Sequence, residues 1–209
     1  MKKTILLSFL VLFIPAILYG QDKVEPPVWN VGDKWTYKDA TVTTYTNEVV
    51  DVKEDVFVLK YQALQNPAAF DKKTMNIKFL IGSGGNKILD TDFLGSGRKL
   101  FDFPIFVGKQ WTDSFEVTLR APGGRPFQVT QALAFKIENI AEVNIPAGTF
   151  KTYVIYLNQK NMRTGNNGWM RYWFSPEVKT WIKREIEKKD FWKLLQMYDS
   201  QLISYELKK

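Results

Sequence analysis

Apolar and polar residues alternate along most of this chain, whereas long runs with helical spacing are nearly absent. A period of two is typical of a strand that buries one face. In the stretch 127–138 the apolar face carries Phe127, Val129, Leu133, Phe135 and Ile137. The stretches 75–81 and 115–119 alternate in the same way. Their β-branched and aromatic content predicts further strands at 35–45, 49–52, 56–61, 150–157, 168–174, 178–186 and 202–207.

Short glycine- and asparagine-rich segments separate these strands. Glycine and asparagine tolerate the positive φ of tight hairpins, and none of the segments has the spacing of a phosphate-binding loop. Ten or more short strands with close turns predict an all-β protein, built as a single curved antiparallel sheet or a half-open β-barrel. The stretch 191–198 fits either one short helix or a strand. The turn segments are 82–86, 95–97, 122–124 and 165–168.

A faint internal echo suggests two related β-halves. The segment 31–36, Val-Gly-Asp-Lys-Trp-Thr, recurs at 107–112 as Val-Gly-Lys-Gln-Trp-Thr. In each copy the glycine can form a turn, and the tryptophan is then the first large side chain of the next strand. No low-complexity linker divides the chain, so we predict one domain over 21–209.

The first 20 residues have the features of a secretory signal peptide. Lys2 and Lys3 precede an apolar stretch at 5–18, and Gly20 precedes polar residues. A membrane anchor is the alternative, but the apolar stretch is short for a membrane span and contains Pro15. We therefore expect cleavage near residue 20 and a periplasmic or secreted bacterial protein. No cysteine follows the stretch, so lipid anchoring through cysteine is not expected.

The composition excludes most common catalytic devices. The chain contains no histidine and no cysteine. A Ser-His-Asp triad, a Cys-His pair, the usual zinc ligands and a CxxC pair are therefore ruled out. The formal charge of +7 arises from scattered lysines, which keep a β-rich surface soluble. An exported protein without a dense basic stripe is not expected to bind nucleic acid.

Two groups of residues remain as candidates for chemistry. Carboxylate pairs could serve a hydrolase, but Asp90 with Asp92, Asp113 with Glu116, and Glu185 with Glu187 carry no distinguishing signal. Aromatic residues are densest at 169–181, interleaved with basic ones, and they could form the core, stack on sugars or line a groove for acyl chains. The candidate ligand-binding residues are Trp35, Trp111, Trp169, Arg171, Trp173 and Trp181.

Several short motifs resemble one family of exported bacterial proteins. They are Ile-Pro-Ala-Gly-Thr-Phe at 145–150, Tyr-Trp-Phe-Ser-Pro-Glu-Val at 172–178, Ile-Lys-Arg-Glu at 182–185, and the segments at 103–104 and 107–111. With these motifs the chain is similar to the TapB-like, or DUF3108-like, domains of unknown function. Where a glycine commonly follows the valine in that family, this chain has Lys179. The resemblance implies a half-barrel that is loosely similar to periplasmic lipoprotein-sorting chaperones, which bind acyl chains without catalysis.

These observations lead to three functional hypotheses. The first is a non-enzymatic exported protein that binds a hydrophobic ligand or lipid in its half-barrel. The second is a cell-envelope module that binds a glycan or an envelope protein through exposed rings. The third is a carboxylate-based hydrolase. We expect no cofactor, no bound metal and no catalytic residue.

Overall fold

The computed structural model describes residues 22–61, 66–82, 84–88, 99–120, 125–187 and 198–209. The expected signal peptide and most of the ambiguous stretch 191–198 lie outside these ranges. The described residues contain strands, turns and bends but no helix. In particular, no helix long and apolar enough to cross a membrane occurs among them.

Twelve strands form one antiparallel sheet, as the alternation predicted. The N half of the sheet contains β1 (Lys34–Asp39), β2 (Thr44–Val52), β3 (Val56–Tyr61), β4 (Ala68–Asp71), β5 (Ile77–Ile81) and β6 (Lys87–Ile88). The C half contains β7 (Gln110–Arg120), β8 (Pro126–Ile145), β9 (Gly148–Asn161), β10 (Asn167–Ser175), β11 (Thr180–Ile186) and β12 (Ser200–Glu206).

Each half is a meander in which every strand pairs with its neighbours in sequence, and the pairing of β1 with β12 joins the two halves. Strands β6 and β7 form the two edges, and the described residues contain no pairing between them. The described strands therefore form a single curved sheet that is not closed into a barrel. This confirms the predicted fold class.

The two halves begin with the same local structure. Gly32 and Gly108, the glycines of the repeated segment, have φ values of 90° and 87°, a region that favours glycine. The N–H of Gly32 donates to the carbonyl of Val49 at 2.8 Å, and that of Gly108 donates to Ile137 at 2.9 Å. The sequence echo thus marks equivalent turns that lead into β1 and β7.

Irregularities along the strands repeat as well. A bulge follows Val49 in the β2–β3 pair, and another follows Ile137 in the β8–β9 pair. The β4–β5 and β10–β11 pairs also shift register at corresponding places, between Ala69 and Phe70 and between Trp173 and Phe174. Bulges re-aim side chains and bend strands. Their recurrence shows that the halves are structural copies of one six-stranded unit.

Tight turns after β4 and β10 share one conformation. Met75 and Lys179 occupy corresponding positions in these turns and have φ values of 56° and 64°. Lys179 is the residue at which the family resemblance implies a glycine. A left-handed backbone explains that preference, because glycine adopts it without strain.

Two details of the strand predictions were wrong. The predicted strand 35–45 is divided into β1 and β2 by a turn, in which Asp39 Oδ1 accepts hydrogen bonds from the N–H groups of Thr41 and Thr43. In 75–81 the bulge opposite β4 shifts the alternation, so that Leu80 is buried and Phe79 only half-buried. A bulge adds one residue, and the faces exchange beyond it.

The sheet curls so that distant strands meet on its concave side. The Tyr37 ring of β1 stacks on Trp181 of β11 with centroids 4.2 Å apart, and its hydroxyl donates to the Trp181 carbonyl at 2.8 Å. Farther along, Phe150 of β9 meets Tyr205 of β12. Such contacts between strands that are not neighbours in the sheet give the concave side an apolar core.

Two segments outside the strands fill much of this concave side. Val24 and Ile105 pair backbone to backbone, which ties the segment before β1 to the one before β7. Phe101 packs on Phe174, and its backbone N–H and carbonyl both bond to the buried Asn76 side chain. The half-barrel groove expected from the sequence is therefore largely occupied by the protein's own side chains.

Candidate functional site

Three of the predicted ligand-binding residues lie in the core. Trp35, Trp111 and Trp181 are 1 %, 8 % and 7 % exposed. The indole N–H of Trp35 donates to the Val178 carbonyl at 2.8 Å, and that of Trp111 donates to Lys99 at 2.9 Å. Because all three rings are packed and the indole donors of Trp35 and Trp111 are satisfied, the observed role of these residues is to close the concave side.

The other three predicted residues lie on the opposite face of the sheet. Trp169, Arg171 and Trp173 alternate along β10 with buried residues, as the period-two pattern predicted, and each is half-buried. The Arg171 guanidinium lies 5.3 Å from the Trp169 ring centroid, and its Nε bonds Glu138 at 2.9 Å. These residues form an outer aromatic row. The structure thus divides the six candidates between two faces.

Residues of β8, β9 and β10 line an apolar cavity on the concave side. Its volume is about 70 Å³, which corresponds to roughly two water-sized groups. It is smaller than typical small-molecule pockets of about 300 Å³ or more, so it can hold an end group rather than a whole ligand. Its lining consists of Leu100, Leu133, Phe135, Leu157, Gln159, Met170 and Tyr172.

Two of the described lining residues carry polar side-chain atoms, Gln159 and Tyr172. Gln159 is 4 % exposed, and its Nε2 donates to Oε1 of Gln131, itself 1 % exposed, at 3.2 Å. Both glutamines lie on strand faces that are otherwise apolar. The other described lining residues are hydrocarbon and aromatic.

None of the lining residues was a predicted site residue. The site residues were predicted from the density of aromatic residues along the sequence. That density does not distinguish buried rings from rings on the outer face. A better signal was available in β8 and β9, where a glutamine interrupts an apolar face, because a buried amide needs a partner. Leu133 and Phe135 were predicted to be core residues, and they are buried.

Charged residues near the concave side hold its filling segments in place. Lys109 Nζ lies 2.9 Å from Asp102 Oδ2 and also donates to the carbonyl of Pro104. Partial burial raises the pKa of the Asp102 carboxyl, but the hydrogen bond and charge of Lys109, together with Lys99, hold it below its ordinary value. This ion pair fixes the segment before β7.

Carboxylates in the described residues do not form a catalytic pair of the predicted kind. Asp113 alternates with Glu116 across β7, and Asp113 Oδ2 accepts the backbone N–H of Lys99 at 2.7 Å. Glu185 pairs with Lys183 at 2.7 Å, and Glu187 accepts the backbone N–H of Trp169. Asp90 and Asp92 lie outside the described residues. The described part of the chain also has no group of three metal-ligating side chains.

The strand pairing defines an all-β class with a single open, curled antiparallel sheet. No family model matches the chain. No curated protein matches it either.

Solved structures with a similar arrangement include the hypothetical lipoprotein YmcC from Escherichia coli, at 8 % identity and a TM-score of 0.46, covering 88 % of this chain and 89 % of that one. Another is a candidate exported protein with a YmcC-like fold from Bacteroides fragilis, at 12 % identity and a TM-score of 0.46, covering 88 % and 99 %. A third is a candidate lipoprotein from Parabacteroides distasonis, at 13 % identity and a TM-score of 0.40, covering 89 % and 100 %.

Proposed function

We propose that this chain is an exported, non-enzymatic protein that binds the apolar end of a hydrophobic ligand or lipid on the concave side of its half-barrel. The cavity bounded by Leu133, Leu157 and Met170 is the observation that carries the proposal. Export is inferred from the signal-like residues 1–20. A non-enzymatic role fits the lack of histidine and cysteine.

Energetics support a functional reading of the cavity. Empty apolar volume costs about 24 cal/mol per Å³, so about 70 Å³ corresponds to roughly 1.5 kcal/mol of lost stability. Elsewhere the concave side is filled by Trp29, Phe101 and Ile105, all buried. A ligand end that entered the cavity would recover contacts that the protein alone does not make.

Native mass spectrometry tests this proposal. The purified protein is delipidated, exposed to a total envelope lipid extract and measured for adducts. We expect an adduct with the wild type and its loss in Leu133→Trp, which fills the cavity. Thr112→Trp adds the same ring at an exposed site on β7 and should keep the adduct. Absence of any wild-type adduct, or its retention in Leu133→Trp, would contradict the proposal.

A second candidate function uses the outer aromatic row. Trp169 and Trp173 remain half-buried on the outer face with a cation between them, and Lys183 lies 4.7 Å from the Trp173 ring centroid. Half-exposed rings flanked by cations can stack on sugars or receive a protein partner. This surface would suit a glycan or an envelope protein.

Alanine substitutions separate this candidate from a purely structural row. If the row binds glycan, Trp169→Ala with Trp173→Ala should abolish retention on immobilised envelope glycan while the melting temperature changes little. The melting temperature must be recorded because Trp173 pairs across the strands with Val154, which is buried. Loss of the Trp173 ring could therefore destabilise the sheet. A large fall in melting temperature would identify the rings as cover for the sheet instead.

A further inference from the structure

The outer aromatic row differs from the buried tryptophans in how its polar groups are used. The indole N–H groups of Trp29, Trp35 and Trp111 donate to backbone carbonyls at 2.9, 2.8 and 2.9 Å. Those of Trp169 and Trp173, which are half-buried on the outer face, donate to none of the residues that the structure describes. The row therefore presents hydrogen-bond donors together with its rings.

Arg171 is held at the centre of this row. Its guanidinium lies 5.4 Å from the ring centroid of Tyr156 and 5.3 Å from that of Trp169, and its Nε donates to Glu138 Oε2 at 2.9 Å. The two terminal nitrogens make no hydrogen bond to a described residue, and the side chain is 37 % exposed. A guanidinium fixed in this way offers a carboxylate two donors whose orientation is already set.

The charges around Arg171 favour an anionic ligand. Glu138 and Glu185 flank it on β8 and β11, and each is paired with a protein cation: Glu138 with Arg171, and Glu185 with Lys183 at 2.7 Å. Lys136 is exposed on the same face, opposite Tyr156, and has no ion pair with a described residue. The flanking carboxylates are therefore neutralised locally, and a positive charge remains to attract an anion.

The spacing along β10 favours a chain of sugars over a compact anion. Trp169 and Trp173 are four residues apart on one strand, which places them roughly 13 Å apart with Arg171 between them. Each ring can stack on one sugar of a linear chain, while the guanidinium binds a group on a sugar between them. A small anion would bind Arg171 and leave both rings uncovered.

We propose that the outer aromatic row binds an acidic glycan, with the carboxylate of a uronic acid at Arg171 and neighbouring sugars on Trp169 and Trp173. The inference rests on the second candidate function and names its ligand class. A neutral glycan shares the stacking but brings no anion to the guanidinium. An acidic protein segment shares the carboxylate but lacks the flat C–H faces that sugars stack on indole rings.

A matched pair of oligosaccharides tests this ligand class. Linear trigalacturonate and its fully methyl-esterified form have the same sugars, but the ester carries no negative charge. Each is titrated into the purified protein while the indole N–H signals of Trp169 and Trp173 are followed by NMR. Acetylated and amidated triglutamate, which carries the same number of carboxylates as trigalacturonate, is titrated in the same way and represents an acidic protein segment.

We expect trigalacturonate to bind the wild type at least about tenfold more tightly than its ester, because the charge-assisted bond to Arg171 is lost with the charge. Arg171→Gln should reduce this preference to less than about threefold, and Arg171→Lys, which keeps the charge without the two fixed donors, should give an intermediate value. Lys136→Gln, at an exposed position, serves if the Arg171 variants do not fold, and the preference should then fall by about threefold.

Arg163→Gln is the matched control for the loss of one positive charge. Arg163 lies in the turn between β9 and β10, and its guanidinium packs on Phe127 at 4.5 Å from the ring centroid, outside the outer aromatic row. This variant should keep the wild-type preference for the acid. An equal loss in Arg163→Gln and Arg171→Gln would show that only the overall charge matters, and it would overturn the assignment of Arg171.

The outcomes separate the ligand class from the candidate function. Equal binding of trigalacturonate and its ester, with both moving the two indole signals, would overturn acid recognition and leave glycan binding in place. Tighter binding of the triglutamate peptide than of trigalacturonate would also overturn the proposal, because it identifies a protein segment as the better ligand. If neither oligosaccharide moves the indole signals of Trp169 and Trp173, the glycan function of the row itself fails.

Discussion

The N and C halves share a backbone plan but fill their concave sides differently. In the N half Trp29 packs on Phe57 and Phe70, with ring centroids 5.5 and 5.6 Å apart. In the C half, β8–β10 surround an apolar cavity instead. The two halves therefore share an order of strands but differ in packing on the concave side, and β7–β9 are also longer than β1–β3.

The two halves also differ in the charged residue that binds backbone groups at the repeated turn. At corresponding positions of the repeated segment stand Asp33 and Lys109. Asp33 is fully buried and accepts the backbone N–H groups of Asn30 and Lys208. Lys109 instead donates to the carbonyls of Asp102 and Pro104. At these equivalent turns the negative Asp33 therefore binds backbone N–H groups, whereas the positive Lys109 binds backbone carbonyl groups.

The largest expected effect comes from the two repeated tryptophans. Trp35→Ala and Trp111→Ala should each lose about 3–5 kcal/mol of unfolding free energy in urea, with Trp35→Ala at the upper end. Trp35 is 1 % exposed in a central strand and packs on Trp29, whereas Trp111 is 8 % exposed on edge strand β7. Equal or reversed losses would show that the halves do not differ in packing as described.

Glycine at the two left-handed turn residues should have different effects. Met75→Gly relieves about 1–2 kcal/mol of backbone strain but removes a buried side chain, so we expect a net loss of about 1–3 kcal/mol. Lys179→Gly relieves the same strain and loses only the Lys179–Asp33 ion pair at 3.4 Å, so the net change should be within about 1 kcal/mol. Urea unfolding measures both, and a severe loss in Lys179→Gly would contradict this account.

Filling the cavity should make the C half more like the N half. The residue that corresponds to Leu133 in β2 is Tyr45, which is larger. Leu133→Phe should therefore raise stability by about 0.5–1 kcal/mol in urea while abolishing adduct formation. A loss above about 1 kcal/mol would mean that the cavity cannot take the extra atoms.

The smallest effect concerns acid stability. The pKa of Asp102 is lowered in the folded protein, so its stabilising contribution is present above the unfolded pKa of about 3.9 and is lost as the pH falls through the folded value. Lys109→Met removes the main cause that lowers the pKa. Its melting temperature should consequently fall less between pH 6 and pH 3 than that of the wild type, and parallel curves would contradict this assignment.

Much of the fold was predictable because strand alternation is a local property. The apolar face of β8 and the alternation of β10 followed from the sequence. The shift near Leu80 did not, because a bulge depends on the partner strand. The cavity could not be predicted from the sequence either, because it depends on how Leu100, Leu133 and Met170, which lie in separate segments, pack together.

A crystal structure of the wild type soaked with the envelope lipid extract tests the central claim most directly. We predict density for the apolar end of a lipid between Leu133, Leu157 and Met170. A cavity that stays empty, or a lipid found only on the outer aromatic row, would contradict the account.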